Sequence, residues 1–122
     1  MKKVLVADDK APGRELIRTV LEQSGHWVFE AGDGAEALQR ARELLPDLII
    51  LDVHMPVLDG FEVLEELRRD HRFVATPIVA LTASAMRGDR ERALSAGFTS
   101  YIAKPISLST LRGEIERFLN VE

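Results

Sequence analysis

The amino-acid sequence predicts an α/β fold built on a buried parallel sheet, and three observations carry that prediction. Short apolar runs rich in β-branched residues recur at positions 4–7, 48–51, 78–81 and 101–103. Runs of this length without polar alternation mark strands covered on both faces. Helix-length segments separate them, so strand and helix patterns alternate five times. Each of the four runs also stops on residues able to do phosphate or metal chemistry: Asp8-Asp9, Asp52, Thr82 and Lys104-Pro105. Ligands of an open α/β sheet bind at the carboxyl ends of its strands. Three carboxylates, a hydroxyl and an ammonium are therefore expected on one patch.

Residues 3–7 form the first strand. A helix follows from Pro12 to about residue 24, with Leu16, Ile17, Val20 and Leu21 as its apolar stripe. Proline suits a first helical turn and Gly25 ends the helix. The second strand, residues 27–31, alternates and so belongs nearer an edge. Gly32-Asp33-Gly34 is a turn. The second helix covers residues 35–45, turns Ala37, Leu38 and Ala41 inward, and is broken by Pro46. Residues 48–51 are the most hydrophobic run and form a central third strand. A loop carrying Met55-Pro56 leads to Asp59, which caps a third helix over about residues 60–70 and buries Phe61, Leu64 and Leu67. Pro77 opens the fourth strand, which runs through Leu81. A fourth helix spans about residues 86–96 and closes at Gly97, and residues 99–103 form the fifth strand. Ser107 caps the last helix, which runs to about residue 119 with Leu108, Leu111, Ile115 and Phe118 facing the sheet. Residues 1–122 read as one domain, without internal linker, low-complexity tract or repeat.

Composition narrows the function classes. A chain of 122 residues with 46% apolar content suits one domain with one packed interior. It has no cysteine, which excludes disulfides, thiolate metal sites and thiol nucleophiles. The first apolar run is too short for a signal-peptide core, and no run approaches the ~20 apolar residues that cross a bilayer. A soluble cytoplasmic protein without membrane insertion is expected. Net charge is −4, from 16 basic and 20 acidic residues, and no clustered basic face suggests direct nucleic-acid binding. The arginines at 68, 69 and 87–92 alternate with acids and are expected on solvated helix faces.

The strand-end residues have a shared chemical logic. Two adjacent carboxylates that end a buried strand repel unless a cation is present. A hard divalent ion meets that need, since Mg²⁺ favours one or two carboxylates with waters and phosphate oxygens. Asp8-Asp9 could equally cap the first helix, but Asp52 on a neighbouring strand favours the metal. Beside a metal Asp52 can both ligate and attack, because carboxylates form aspartyl-phosphate intermediates. Phosphoryl transfer needs mainly positioning and charge neutralisation. Lys104 supplies a point charge, Thr82 a hydroxyl, and the His54 carbonyl a further metal ligand. Pro105 after Lys104 predicts a rigid turn, open to a cis bond, that aims the ammonium inward. The His54 side chain is expected in an exposed loop, and Tyr101 outward or at an edge.

Together these pieces resemble the response-regulator receiver domain of two-component signalling. The matching stretches are Val4-Leu5-Val6-Ala7-Asp8-Asp9, Leu51-Asp52-Val53-His54-Met55-Pro56-Val57-Leu58-Asp59-Gly60, Ala80-Leu81-Thr82-Ala83 and Lys104-Pro105, with Gly97 and Tyr101. The resemblance implies a doubly wound five-stranded flavodoxin-like sheet of order 2-1-3-4-5 flanked by five helices. It implies that Asp52 is the phosphoacceptor, taking its phosphoryl group from a histidine kinase or histidine phosphotransfer protein. Asp8, Asp9, Asp52 and the His54 carbonyl would hold Mg²⁺, and Lys104 would bind the phosphoryl oxygens. Thr82 and Tyr101 would switch, altering the face of helix four, strand five and helix five for an effector. Such a domain catalyses its own phosphorylation and dephosphorylation without turning over a separate substrate. His54 and Ser84 stand where this family tunes phosphoryl-group loss. A haloacid-dehalogenase-like phosphatase would need an acid two residues after its first-strand aspartate, and a dinucleotide binder would need Gly-x-Gly-x-x-Gly after the first strand. Neither pattern is present. A degenerate receiver serving only as an interaction module fits poorly with the complete set of acids, Thr82 and Lys104.

Overall fold

The computed structural model describes residues 1–83 and 89–119. The elements run β1 (Lys3–Ala7), α1 (Ala11–Gln23), β2 (Trp27–Ala31), α2 (Gly34–Leu44), β3 (Leu48–Asp52), α3 (Gly60–Arg69), β4 (Ile78–Thr82), α4 (Asp89–Ala96), β5 (Ser100–Ala103) and α5 (Leu108–Leu119). A 3-10 turn at His71–Phe73 follows α3. All strand pairs are parallel, in the order β2-β1-β3-β4-β5. The alternating strand is thus at an edge, and the most apolar one is central.

The side-chain period of two divides the core into two layers. Leu5, Ile49, Leu51, Ile78 and Ala80 point to α2, α3 and α4, where they meet Ala37, Ala41, Leu64, Leu67 and Ala93. Val4, Val6, Leu48, Ile50, Val79 and Leu81 point the other way, onto Ile17 and Leu21 of α1 and Leu111 and Ile115 of α5. β1, β3 and β4 are therefore apolar on both faces, which is why their sequences run without alternation.

Local signals account for the helix ends. Asp33 accepts from the Glu36 N–H and caps α2, a cap hidden in what reads as a simple turn. Asp59 and Glu62 form a reciprocal capping box on α3. Gly25 and Gly97 leave α1 and α4 at φ 88° and 118°. The helix predicted from residue 86 is described from Asp89, and its earlier part lies outside the described residues.

Several expected packing positions differ. Leu16 and Leu108 are 42% exposed, because each sits one step off the arc its helix turns to the sheet. Leu119 and Val63 occupy buried positions instead, while Phe61 and Phe118 are only partly buried. Arg68 is not on a solvated face. Its guanidinium enters the gap below α3 and donates to the carbonyls of Phe73, Thr76 and Gly97.

Candidate functional site

Register decides what meets at the sheet's carboxyl edge. Ala7 pairs with Leu51, so Asp8 stands level with Asp52 on the adjacent strand. Asp52 pairs with Leu81 and Thr82 with Ala103, so Thr82 and Lys104 step outward along the same rim. Parity then sorts them. Asp8, Asp52 and Lys104 continue the alternation of Val6, Ile50 and Ile102, toward α1 and α5. Thr82 and Tyr101 fall on the opposite layer, toward α3 and α4.

On the first side, carboxylate oxygens of Asp8, Asp9 and Asp52 lie within 4.8 Å of one another. Lys104 Nζ donates to Asp52 Oδ2 at 2.8 Å and to Asp8 Oδ2 at 3.0 Å, so one ammonium bridges two buried carboxylates. The Lys104–Pro105 bond is cis. Asp8 Oδ1 accepts the Lys10 N–H at 3.0 Å, and Asp52 Oδ1 accepts the His54 N–H at 3.0 Å. These residues open onto a groove of about 570 Å³ that continues along Pro12 and Leu16 of α1. Its far lip is Pro105 and Ile106.

The two buried carboxylates are driven apart in acidity. Burial raises the Asp52 pKa, and the Lys104 and His54 hydrogen bonds only partly offset that. Burial acts the same way on Asp8, but the Lys10 amide and the Lys104 ammonium outweigh it, so its pKa is lowered. Burial alone would lower the Lys104 pKa, yet Asp52 and Asp8 outweigh it and raise it. A cation close by favours the ionised form of both carboxylates. Three clustered carboxylates form the hard oxygen set that Mg²⁺ prefers.

Other residues also set this geometry, and the role of Arg14 left no local mark in the sequence. Arg14 of α1 donates from Nη1 to the Asp8 carbonyl at 2.6 Å, while Glu30 of β2 holds its Nε at 3.1 Å. The loop after Asp52 is folded tightly back, with the Gly60 N–H on the Val53 carbonyl at 3.0 Å. A Cβ at Gly60 would lie 2.5 Å from the Asp52 carbonyl oxygen, and one at Gly34 would lie 1.9 Å from that of Leu58. Only glycine allows either approach. The Gly34 approach joins two distant segments, whereas the Gly60 approach closes the loop that follows Asp52.

On the opposite side, Thr82, Tyr101, Val53 and His54 line a small cavity of about 30 Å³ together with Phe61 and Arg92. Thr82 is buried and Tyr101 half-buried against the core, whereas the His54 side chain is exposed. Ser84 lies outside the described residues.

Comparison with known proteins gives this edge a family. The model of the response regulator receiver domain matches residues 4–116. The chain belongs to the response regulator receiver family. It is 38% identical over 118 residues to the polar-differentiation response regulator DivK of Brucella anthropi, covering 97% of this chain and 96% of the relative. The chemotaxis response regulator CheY4 of Vibrio cholerae superposes with a TM-score of 0.91 at 35% identity, over 98% of this receiver and 99% of that chain. The receiver domain of the sensor histidine kinase PA1611 of Pseudomonas aeruginosa matches with a TM-score of 0.89 at 33% identity, over 98% of each chain. That protein carries a magnesium ion in its active-site cleft. Receivers of this family act in two-component signalling as phosphorylation switches, and that general function is this chain's. No helix among the described residues is long and apolar enough to cross a membrane.

Proposed function

We propose that this receiver takes a phosphoryl group onto Asp52 from the phosphohistidine of a histidine kinase or histidine phosphotransfer protein, in a Mg²⁺-dependent reaction. The observation that carries the reading is the meeting of Asp8, Asp9 and Asp52 within 4.8 Å, with Lys104 bridging two of them. Asp8, Asp9, Asp52 and the His54 carbonyl would hold the ion. When bound, Mg²⁺ supplies charge neutralisation for the carboxylates and the phosphoryl oxygens.

The chain's own groups do the remainder. A carboxylate oxygen of Asp52 forms the bond to phosphorus as the donor's P–N bond breaks, and the electron pair leaves on the imidazole nitrogen. Lys104, already 2.8 Å from Asp52 Oδ2, moves its charge onto a phosphoryl oxygen. Thr82 gives its hydroxyl to another from the opposite layer, and Tyr101 turns inward behind it. The α4–β5–α5 face changes as a result and becomes readable by an effector. Attack by water on phosphorus restores the Asp52 carboxylate, so the domain acts on itself rather than on a separate substrate. Residues 1–122 serve as one phosphoacceptor unit, and its kinase and effector meet it in the cytoplasm.

The test is direct. Incubation with Mg²⁺ and acetyl phosphate should add one phosphoryl group by intact mass. That gain should vanish in Asp52→Asn and in chelator. Undiminished uptake by Asp52→Asn would place the acceptor elsewhere and overturn the reading.

A further inference from the structure

We propose that Arg92 and Phe61 form a latch that holds α4 in its resting position and so opposes phosphorylation at Asp52, an inference that rests on the phosphoacceptor reading above. Phe61 is tied rigidly to Asp52. Gly60 bonds the Val53 carbonyl and lies directly under the Asp52 backbone, and Phe61 is the next residue. Its ring therefore has little freedom to move independently of the acceptor strand.

That ring grips α4 at two points. The Arg92 guanidinium lies over its face, 4.4 Å from the centroid. Phe98, just beyond the end of α4, meets it edge-on, with centroids 5.6 Å apart and planes at 81°. Both are favourable geometries for a ring with a negative face and a positive edge. A helix that carries part of the responding face is thus fastened to the loop that follows the acceptor.

The cavity under this clasp gives it a regulatory meaning. Phe61, Arg92, Thr82 and Tyr101 line a partly open cavity of about 30 Å³, room for a single water. Tyr101 already lines this space half-buried against the core. A deeper turn of its ring toward Thr82 needs volume on the side that the Arg92–Phe61 stack fills, and packed interiors yield by switching between discrete arrangements. The stack belongs to the resting arrangement, and opening it belongs to the switched one. Any interaction made only in the resting state lowers affinity for whatever binds the switched state.

The sign of one equilibrium decides the matter. Beryllofluoride with Mg²⁺ mimics the aspartyl phosphate without a covalent bond, so its affinity reports the balance between the two states. Loss of the stack in Arg92→Gln should tighten its binding roughly two- to fivefold, the factor set by an exposed cation on an aromatic face. Phe61→Leu, which keeps the arginine and most of the apolar volume, should shift affinity the same way. The double variant should add little to either. Weaker binding by Arg92→Gln would show that Arg92 acts only as a cation attracting the anionic site, and would overturn the latch, as would unchanged binding. Failure of the unaltered protein to take up the mimic would instead overturn the phosphoacceptor reading, and the latch with it.

Discussion

Val57 sits in the loop after Asp52 with φ 73°, and the Leu58 N–H reaches back across it to the Pro56 carbonyl at 2.9 Å. This is a γ-turn, and a β-branched residue is poorly suited to its centre. The side chain is 75% exposed, so burial returns little. A left-handed conformation costs a non-glycine residue about 1–2 kcal/mol, and glycine costs about 0.5–1 kcal/mol in added chain entropy. Val57→Gly should therefore stabilise the domain by about 1 kcal/mol, seen as a higher urea midpoint at unchanged slope. A lower midpoint would refute the strain argument. The sequence shows Val57 plainly but not its conformation, which comes from the fixed distance between Asp52 and the capped start of α3. By contrast, the acids, Thr82 and Lys104 were legible because each simply ends an apolar run.

Among the elements, α3 is fastened to the sheet's far end by one side chain. Arg68 donates to the Phe73 carbonyl at 2.7 Å, to Thr76 at 2.9 Å, and to Gly97 at 3.0 and 3.1 Å. Thr99 Oγ1 accepts from it at 3.2 Å and also from the Ile78 N–H. Burial lowers the Arg68 pKa, and neutral oxygens surround the charge. Charged hydrogen bonds of this kind contribute about 1.5–3 kcal/mol each, and truncation removes this donor from the part-buried carbonyls of Thr76 and Gly97, while Phe73 keeps the Thr76 N–H. Arg68→Gln should cost about 2–3 kcal/mol in chemical denaturation. Its neighbour Arg69 pairs with Glu65 and Glu66 in the open, and Arg69→Gln should change stability by under about 0.5 kcal/mol. Equal small losses in the two variants would discredit the tether. The alternation of charge along residues 65–70 reads as one solvated face. It cannot reveal that one arginine of the pair turns toward Gly97, 29 positions away.

For the molecule as a whole, β1, β3 and β4 were legible because burial on both faces leaves continuous apolar stretches, while β2 was legible by its alternation. Their neighbour order was not, since similar runs carry no label for the partner beside them; the order came from family resemblance. Once the order β2-β1-β3-β4-β5 is fixed, register gathers three carboxylates against one ammonium at a single edge. That excess of negative charge works against the folded state, and the unfolded chain lacks it. A divalent cation that binds only the folded domain must then stabilise it, by about 2.7 kcal/mol at a hundredfold excess over Kd. In a domain of this size that is a rise of roughly 10 °C in Tm between chelator and saturating Mg²⁺. Asp9 separates this from general salt effects, because it is exposed and its side chain is not needed for the core. Asp9→Asn should raise Tm in chelator by relieving repulsion, yet lose most of the rise given by Mg²⁺. A structural capping role for Asp9 predicts the opposite pattern, with lower stability in chelator and an unchanged response to the ion. Thermal melts of the two proteins with and without Mg²⁺ distinguish these outcomes, and an equal Mg²⁺ response in both would remove Asp9 from the ligand set.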